Sequence, residues 1–185
     1  MDPLFSRRPV PRIDGVFAAS RLARDERAPA ARWSRADLAG RLVELSAQGD
    51  SSALTLAISL VTDAQKEGET AAWVTPSSSA FYPPDAARAG VDLGALPVVR
   101  VPDANAVART AERLVRSGAF GLVVLDLSGV DRAAGAREVR VAPALQNRIA
   151  GLAKKHDTTV LCLTEKPSRA PSLGSLVSLR VEARR

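Results

Sequence analysis

The chain has 185 residues, 46% of them hydrophobic and 25% charged, with a formal net charge of +6. That length and apolar content are enough to bury a three-layer core in one compact domain. No run of about 18 apolar residues is present, and Met1-Asp2-Pro3 opens no secretory signal, so a cytoplasmic chain with no membrane span is expected. A single cysteine, Cys162, rules out an intrachain disulfide, and a single histidine, His156, has no companion ligands for zinc.

Residues 1–33 differ in kind from the rest. Pro3, Pro9, Pro11 and Pro29 interrupt them, and seven arginines stand among four acids from Met1 to Arg32, which describes a flexible basic arm rather than a packed fold. Within it, residues 16–27 fit one short amphipathic helix with Phe17 and Leu22 on its apolar face, the candidate partner-binding residues of the arm. The globular domain is expected over 34–185. Ser34 with Asp37 resembles a capping box. Leu42 to Leu45 is the first strand, and Gly49-Asp50-Ser51-Ser52 is a strand-to-helix turn with Ser51 or Ser52 as N-cap. Leu54, Ile58 and Val61 then recur at helical spacing.

Further along, Ala71 to Val74 is the second strand, and 76–84, with its serines and Pro83-Pro84, is expected to be an exposed loop. Val98 to Val101 is the third strand, and Asp103 is the N-cap of a helix carrying Val107 and Leu114. Leu122 to Leu127 is the fourth strand. Leu145, Ile149 and Leu152 mark a further helix, followed by strands at Val160 to Leu163 and Leu176 to Val181. The strands are short and apolar without alternation, as suits strands covered on both faces. Strand-helix alternation with short turns implies right-handed crossovers and a mostly parallel sheet. Ligands of such sheets sit beyond the strand C-terminal ends, where Ser46 to Ser52, Ser77, Asp126 and Glu165 gather.

The stretch G-R-L-V-E-L-S-A-Q-G-D-S-S-A-L-T-L-A from Gly40 resembles the ATP-binding strand–loop–helix of the RecA recombinase family. A working P-loop needs two glycines to wrap phosphate, a lysine to neutralise it and a hydroxyl for Mg²⁺. Aligned on V-E-L and T-L-A, those positions here are Ala47, Ser52, Ala53 and Leu54. The place of the family's catalytic acid is Ser77, and its sensor glutamine position is Glu165. Only the carboxylate ending the Walker B-like strand, Asp126, is kept. The likeness continues through Val91-Asp92-Leu93, Pro102-Asp103, Leu114 to Ala119, and Ser178 to Arg185, and covers about residues 40–185.

The resemblance implies a RecA-like, P-loop NTPase-type three-layer α/β sandwich that is truncated and has no C-terminal domain. It also implies a chain that binds no nucleotide cofactor and is not an ATPase, since phosphoryl transfer rests on the groups replaced here. Asp126 is expected to cap the turn after its strand or to pair with an arginine.

Charge adds a second theme. Residues 131–185 hold eleven Arg and Lys against five Asp and Glu. Arg132, Arg137 and Arg140 follow the Asp126 strand, while Lys166 and Arg169 follow the Val160 strand. By the resemblance, these two loops correspond to the pair lining the RecA DNA channel, making those five residues candidates for weak contact with single-stranded DNA phosphates, with plain solvated arginine-rich loops as the alternative. No aromatic residue lies beyond Phe120, so base stacking is not available there.

Among RecA relatives, the truncated core and degenerate ATP site most resemble the ImuA group of SOS mutagenesis cassettes, sometimes described as SulA-like. That likeness implies a nucleoid-associated accessory protein of translesion synthesis. Its partners would be ImuB (an inactive Y-family polymerase homologue), RecA and an error-prone DnaE-type polymerase complex. A modulator of RecA recombination that binds single-stranded DNA, or a cell-division inhibitor of SulA type, are the alternatives.

Overall fold

The computed structural model describes residues 34–48, 52–77, 79, 81–128, 141–167 and 169–183. The arm, with the helix expected over 16–27, Phe17 and Leu22, and the loop carrying Arg132, Arg137 and Arg140, lie outside these residues. Residues 33–185 form one compact unit.

In chain order the elements are α1 (Arg35–Leu38), β1 (Leu42–Ala47), α2 (Ala53–Lys66), β2 (Ala71–Pro76), α3 (Pro83–Arg88), a 3-10 turn (Leu93–Ala95), β3 (Val98–Val101), α4 (Ala104–Ser117), β4 (Leu122–Asp126), α5 (Pro143–His156), β5 (Thr159–Glu165) and β6 (Leu179–Glu182). The six strands form one sheet in the order β3-β2-β4-β5-β1-β6. Every neighbouring pair is parallel.

Side-chain alternation along each strand sorts the core into two layers. Val43, Leu45, Trp73, Leu122, Val124, Leu161 and Leu163 face α2 and α3, while Leu42, Val74, Val123, Leu125, Val160 and Cys162 face α4 and α5. The central strands β1, β2, β4 and β5 are therefore covered on both faces, as the unalternated runs predict.

Capping follows from residue chemistry. Ser34 and Asp37 make a reciprocal capping box on α1, and the Asp103 carboxylate accepts from the Ala106 N–H at the start of α4. Gly118, at φ 69°, ends α4 in the left-handed conformation that favours glycine.

Two local expectations differ from what is observed. On α2 the buried stripe is Ala53, Ala57, Leu60, Val61 and Ala64, whereas Leu54 is 42% exposed. Small alanines let the helix approach the sheet closely, so its larger leucine at position 54 turns outward. The segment 76–84 is not wholly loop. Pro76 ends β2, and Pro83 and Pro84 stand at the first positions of α3, where their missing N–H groups cost no hydrogen bond. Between them Phe81 is buried against Trp73, with ring centroids 4.9 Å apart.

A pair of glycines provides a calibrated test. A Cβ on Gly118 would lie 2.9 Å from Nδ1 of His156, in addition to the positive φ, whereas one on Gly151 in α5 would meet nothing within 4 Å. Gly118→Ala is expected to destabilise the domain by about 1–2 kcal/mol and Gly151→Ala to stabilise it by about 0.5–1 kcal/mol. Urea unfolding midpoints of the two variants should shift in opposite directions.

Candidate functional site

The strand C-terminal rim is where a parallel α/β sheet presents a ligand site, and two carboxylates organise it here. The first is Asp126, at the end of β4 and 1% exposed. Thr75 Oγ1 of β2 donates to its Oδ2 at 3.1 Å, and Ser79 Oγ donates to the same oxygen. The Ser128 N–H (3.1 Å) and hydroxyl both donate to Oδ1. Asp126 thus ties β2, the segment after it and the turn after β4 into one corner, a capping role, with each oxygen already accepting two donors.

The second is Glu44, which the sequence reading passed over within V-E-L. It lies midway along β1, between β5 and β6, and is fully buried. Thr164 Oγ1 donates to its Oε1 (2.9 Å), as does the Lys166 ammonium (2.5 Å). Its Oε2 accepts from Ser172 Oγ (2.8 Å) and from the Leu173 N–H (2.9 Å). Burial alone pushes this carboxyl up. The Lys166 ammonium, the Leu173 amide and the Ser172 and Thr164 hydroxyls together outweigh that and hold it below the ordinary carboxylate value. The sequence did carry a signal for it: one charge inside a strand expected to be covered on both faces requires a built partner.

That partner set includes Lys166, expected at a DNA surface. Its side chain is only 10% exposed and its Nζ also donates to the Pro171 carbonyl at 2.6 Å, so the ammonium faces inward. Arg169, the other member of that loop, is exposed. Arg180 of β6 reaches back to the same segment, donating to the carbonyls of Pro167 (3.2 Å) and Ala170. Gln146 of α5 clamps it from the far side, its Nε2 donating to the carbonyls of Val141 (2.7 Å) and Leu173 (2.9 Å). An open cleft of about 620 Å³ runs between residues 171–176 and the α5 start, with Asn105 and Asn147 in its wall.

At the P-loop position, Ala47 ends β1 and its carbonyl accepts the Lys166 N–H at 2.8 Å. Ser52 takes the N-cap position of α2. The Ala53 methyl, at the position aligned with the family's lysine, is buried in the core, and Leu54 turns to solvent. Ser77 follows β2 with its hydroxyl donating to the Val101 carbonyl at 3.3 Å. Glu165, at the sensor position, is half-buried at the end of β5. Among the described residues, the strand ends therefore gather Asp126, Glu165 and Glu182, while the ammonium of Lys166 is engaged beneath them. Cys162 is a buried hydrophobe, its thiol pushed up to about 12 by burial and by the Glu44 charge.

Sequence comparison agrees with this architecture: the model of the RecA N-terminal domain family matches residues 36–155. The chain belongs to the RecA N-terminal domain family. It is 41% identical over 88 residues to Protein RecA of Chlorobium limicola, covering 47% of this chain and 25% of that protein. It is 33% identical over 124 residues to Protein RecA of Clavibacter michiganensis, covering 60% and 34% respectively. The chain thus spans about a quarter to a third of the length of the curated RecA proteins it matches. Its fold is also similar to that of SulA from Pseudomonas aeruginosa, with a TM-score of 0.50 at 17% identity, covering 68% of this chain and 98% of that one. In this RecA-type domain no described helix is long and apolar enough to cross a membrane.

The Glu44 pair makes a prediction with a definite sign. Because its folded pKa is lowered, its stabilisation is present above the unfolded carboxylate value near 4.3 and is lost as pH falls through the folded value. Glu44→Gln leaves Lys166 buried without its counter-charge and should cost about 3 kcal/mol at neutral pH. The variant should also lose less stability than the parent between pH 5 and about pH 2. Denaturant titrations across that range provide the check.

Proposed function

We propose that this RecA-type domain is a non-catalytic accessory module of DNA-damage-induced (SOS) mutagenesis and translesion synthesis. It acts through protein–protein contacts with ImuB and with RecA itself, beside an error-prone DnaE-type polymerase. The observation that carries this reading is the placement of Ala53: a methyl packed in the core stands where an ATP-binding relative projects a lysine to phosphate. The saturation of Asp126 by Thr75, Ser79 and Ser128 supports it, because a carboxylate that already accepts four hydrogen bonds is a poor metal ligand or base. Membership of the RecA N-terminal domain family supports a place in DNA-damage handling, and Ser52, Ala53 and Leu54 at the aligned P-loop positions support a non-catalytic role.

Exposed apolar side chains on and near α2 and α3 support a protein-partner role. Leu54 and Leu56 of α2, with Tyr82 and Leu93 nearby in sequence to α3, are the exposed large apolar side chains of that half of the domain. Exposed apolar and aromatic anchors of this type are what protein interfaces bury.

The test is reconstitution. Tagged full-length chain mixed with purified ImuB, and separately with RecA, should co-elute with at least one of them on a sizing column. Leu54→Asp with Tyr82→Ala should weaken that complex about tenfold or more while leaving the unfolding midpoint nearly unchanged. Failure of the parent chain to retain either protein overturns the proposal.

A further inference from the structure

The two helical layers of this domain carry different charge. α4 and α5 together contain six Arg and Lys against the single Glu112, whereas α2 and α3 contain two against two. On α4, Arg109, Arg113 and Arg116 recur at i, i+4 and i+7 on the side opposite the buried Val107, Ala108, Ala111 and Val115. The first two therefore stand about 6 Å apart along the helix. On α5, Arg148 and Lys155 are seven residues apart on the exposed side, with Lys154 beside them. The helices lie side by side in the same direction: Asn105 and Asn147 line one cleft at their N-terminal ends, and Gly118 meets His156 at the other.

Little of this charge is neutralised internally. Glu112 accepts from Arg116 and from Arg148 Nε at 3.2 Å, joining the two helices. Arg109, Arg113, Lys154 and Lys155 have no carboxylate partner among the described residues.

What the face lacks is equally informative. Among the described residues the exposed large apolar side chains are Leu54, Leu56, Tyr82, Leu93 and Leu176, and none belongs to α4 or α5. A protein partner would need an apolar or aromatic anchor to bury, and a single strand would need an aromatic platform for its bases. Phosphate rows need neither. A duplex also presents the higher linear charge density.

We propose that the solvent face of α4 and α5 docks the phosphate backbone of a nucleic-acid duplex without regard to sequence. The site is built from residues of α4 and α5 alone, and it does not depend on the protein-partner reading above.

The experiment is fluorescence polarisation of the full chain with a labelled DNA duplex of about 30 base pairs and with one of its single strands, over a salt series. The parent should bind the duplex more tightly than the strand, with affinity falling steeply as salt rises. The triple variant R109A/R113A/K155A alters only exposed side chains on helices, and its unfolding midpoint should match the parent's. It should bind the duplex at least tenfold more weakly at low salt, and its log–log salt slope should be smaller by about 2.7, at about 0.9 per lost phosphate contact. The loop triple R132A/R137A/R140A should leave most duplex affinity in place. Four outcomes overturn the proposal: no duplex binding at low salt, unchanged affinity in R109A/R113A/K155A, tighter binding of the single strand, or equal displacement by polyglutamate, which would mark the face as one for acidic protein.

Discussion

A carboxylate buried midway along β1 sets the terms for the right-hand half of this sheet. The connection from β5 to β6 must cross over β1, and among its described residues it contains no helix to do so. A bare loop over a sheet cannot satisfy its own backbone groups. Glu44 resolves this by rising from the strand to accept the Leu173 N–H and the Ser172 hydroxyl, while Lys166, at the loop's start, supplies the counter-charge. Arg180 and Gln146 complete the attachment by donating to loop carbonyls from opposite sides. Leu173 and Val177 can then pack on the α4/α5 core. Without the carboxylate, that apolar packing would lack its polar anchor.

Asp126 does on the left what Glu44 does on the right. Hydroxyls from β2, the segment after it and the turn after β4 converge on one carboxylate at the strand ends. In both places a buried carboxylate has its hydrogen-bonding capacity directed into the protein. The rim of this RecA-type domain is held together by the kind of polar chemistry that a working nucleotide site would direct at its ligand, consistent with the alanine at position 53. Among the described residues, one outer helical layer carries exposed leucines with a tyrosine nearby, and the other is cationic.

Most of the architecture was legible in the chain. Six apolar, β-branched runs correspond to the six strands, and Asp103, Ser34 and Asp37 mark helix starts by capping chemistry that acts over three residues. The reading failed where distant contacts decide. Leu54 counted toward the buried stripe of α2 by spacing, yet the sheet accepts the alanine side of that helix. Pro83 and Pro84 signalled a loop, but at a helix's first positions proline is tolerated. Lys166 appeared as a loop cation because its partner, Glu44, lies 122 residues earlier in the chain, and only the parallel pairing of β1 with β5 brings them together. Of the rim, Asp126 was legible as a carboxylate at a strand end, whereas Glu44 and its partner set were not, since a structural carboxylate and a catalytic one look alike in sequence.

Thermal unfolding of the full chain with and without Mg-ATP at about 1 mM tests the central claim most directly. A native site with a dissociation constant near 10 μM would add about 2.7 kcal/mol under those conditions, a rise of several degrees. The account predicts no shift, because Ala53 and the saturated Asp126 offer phosphate and metal no partner. A reproducible Mg-dependent rise, absent with ATP in chelator, would contradict it.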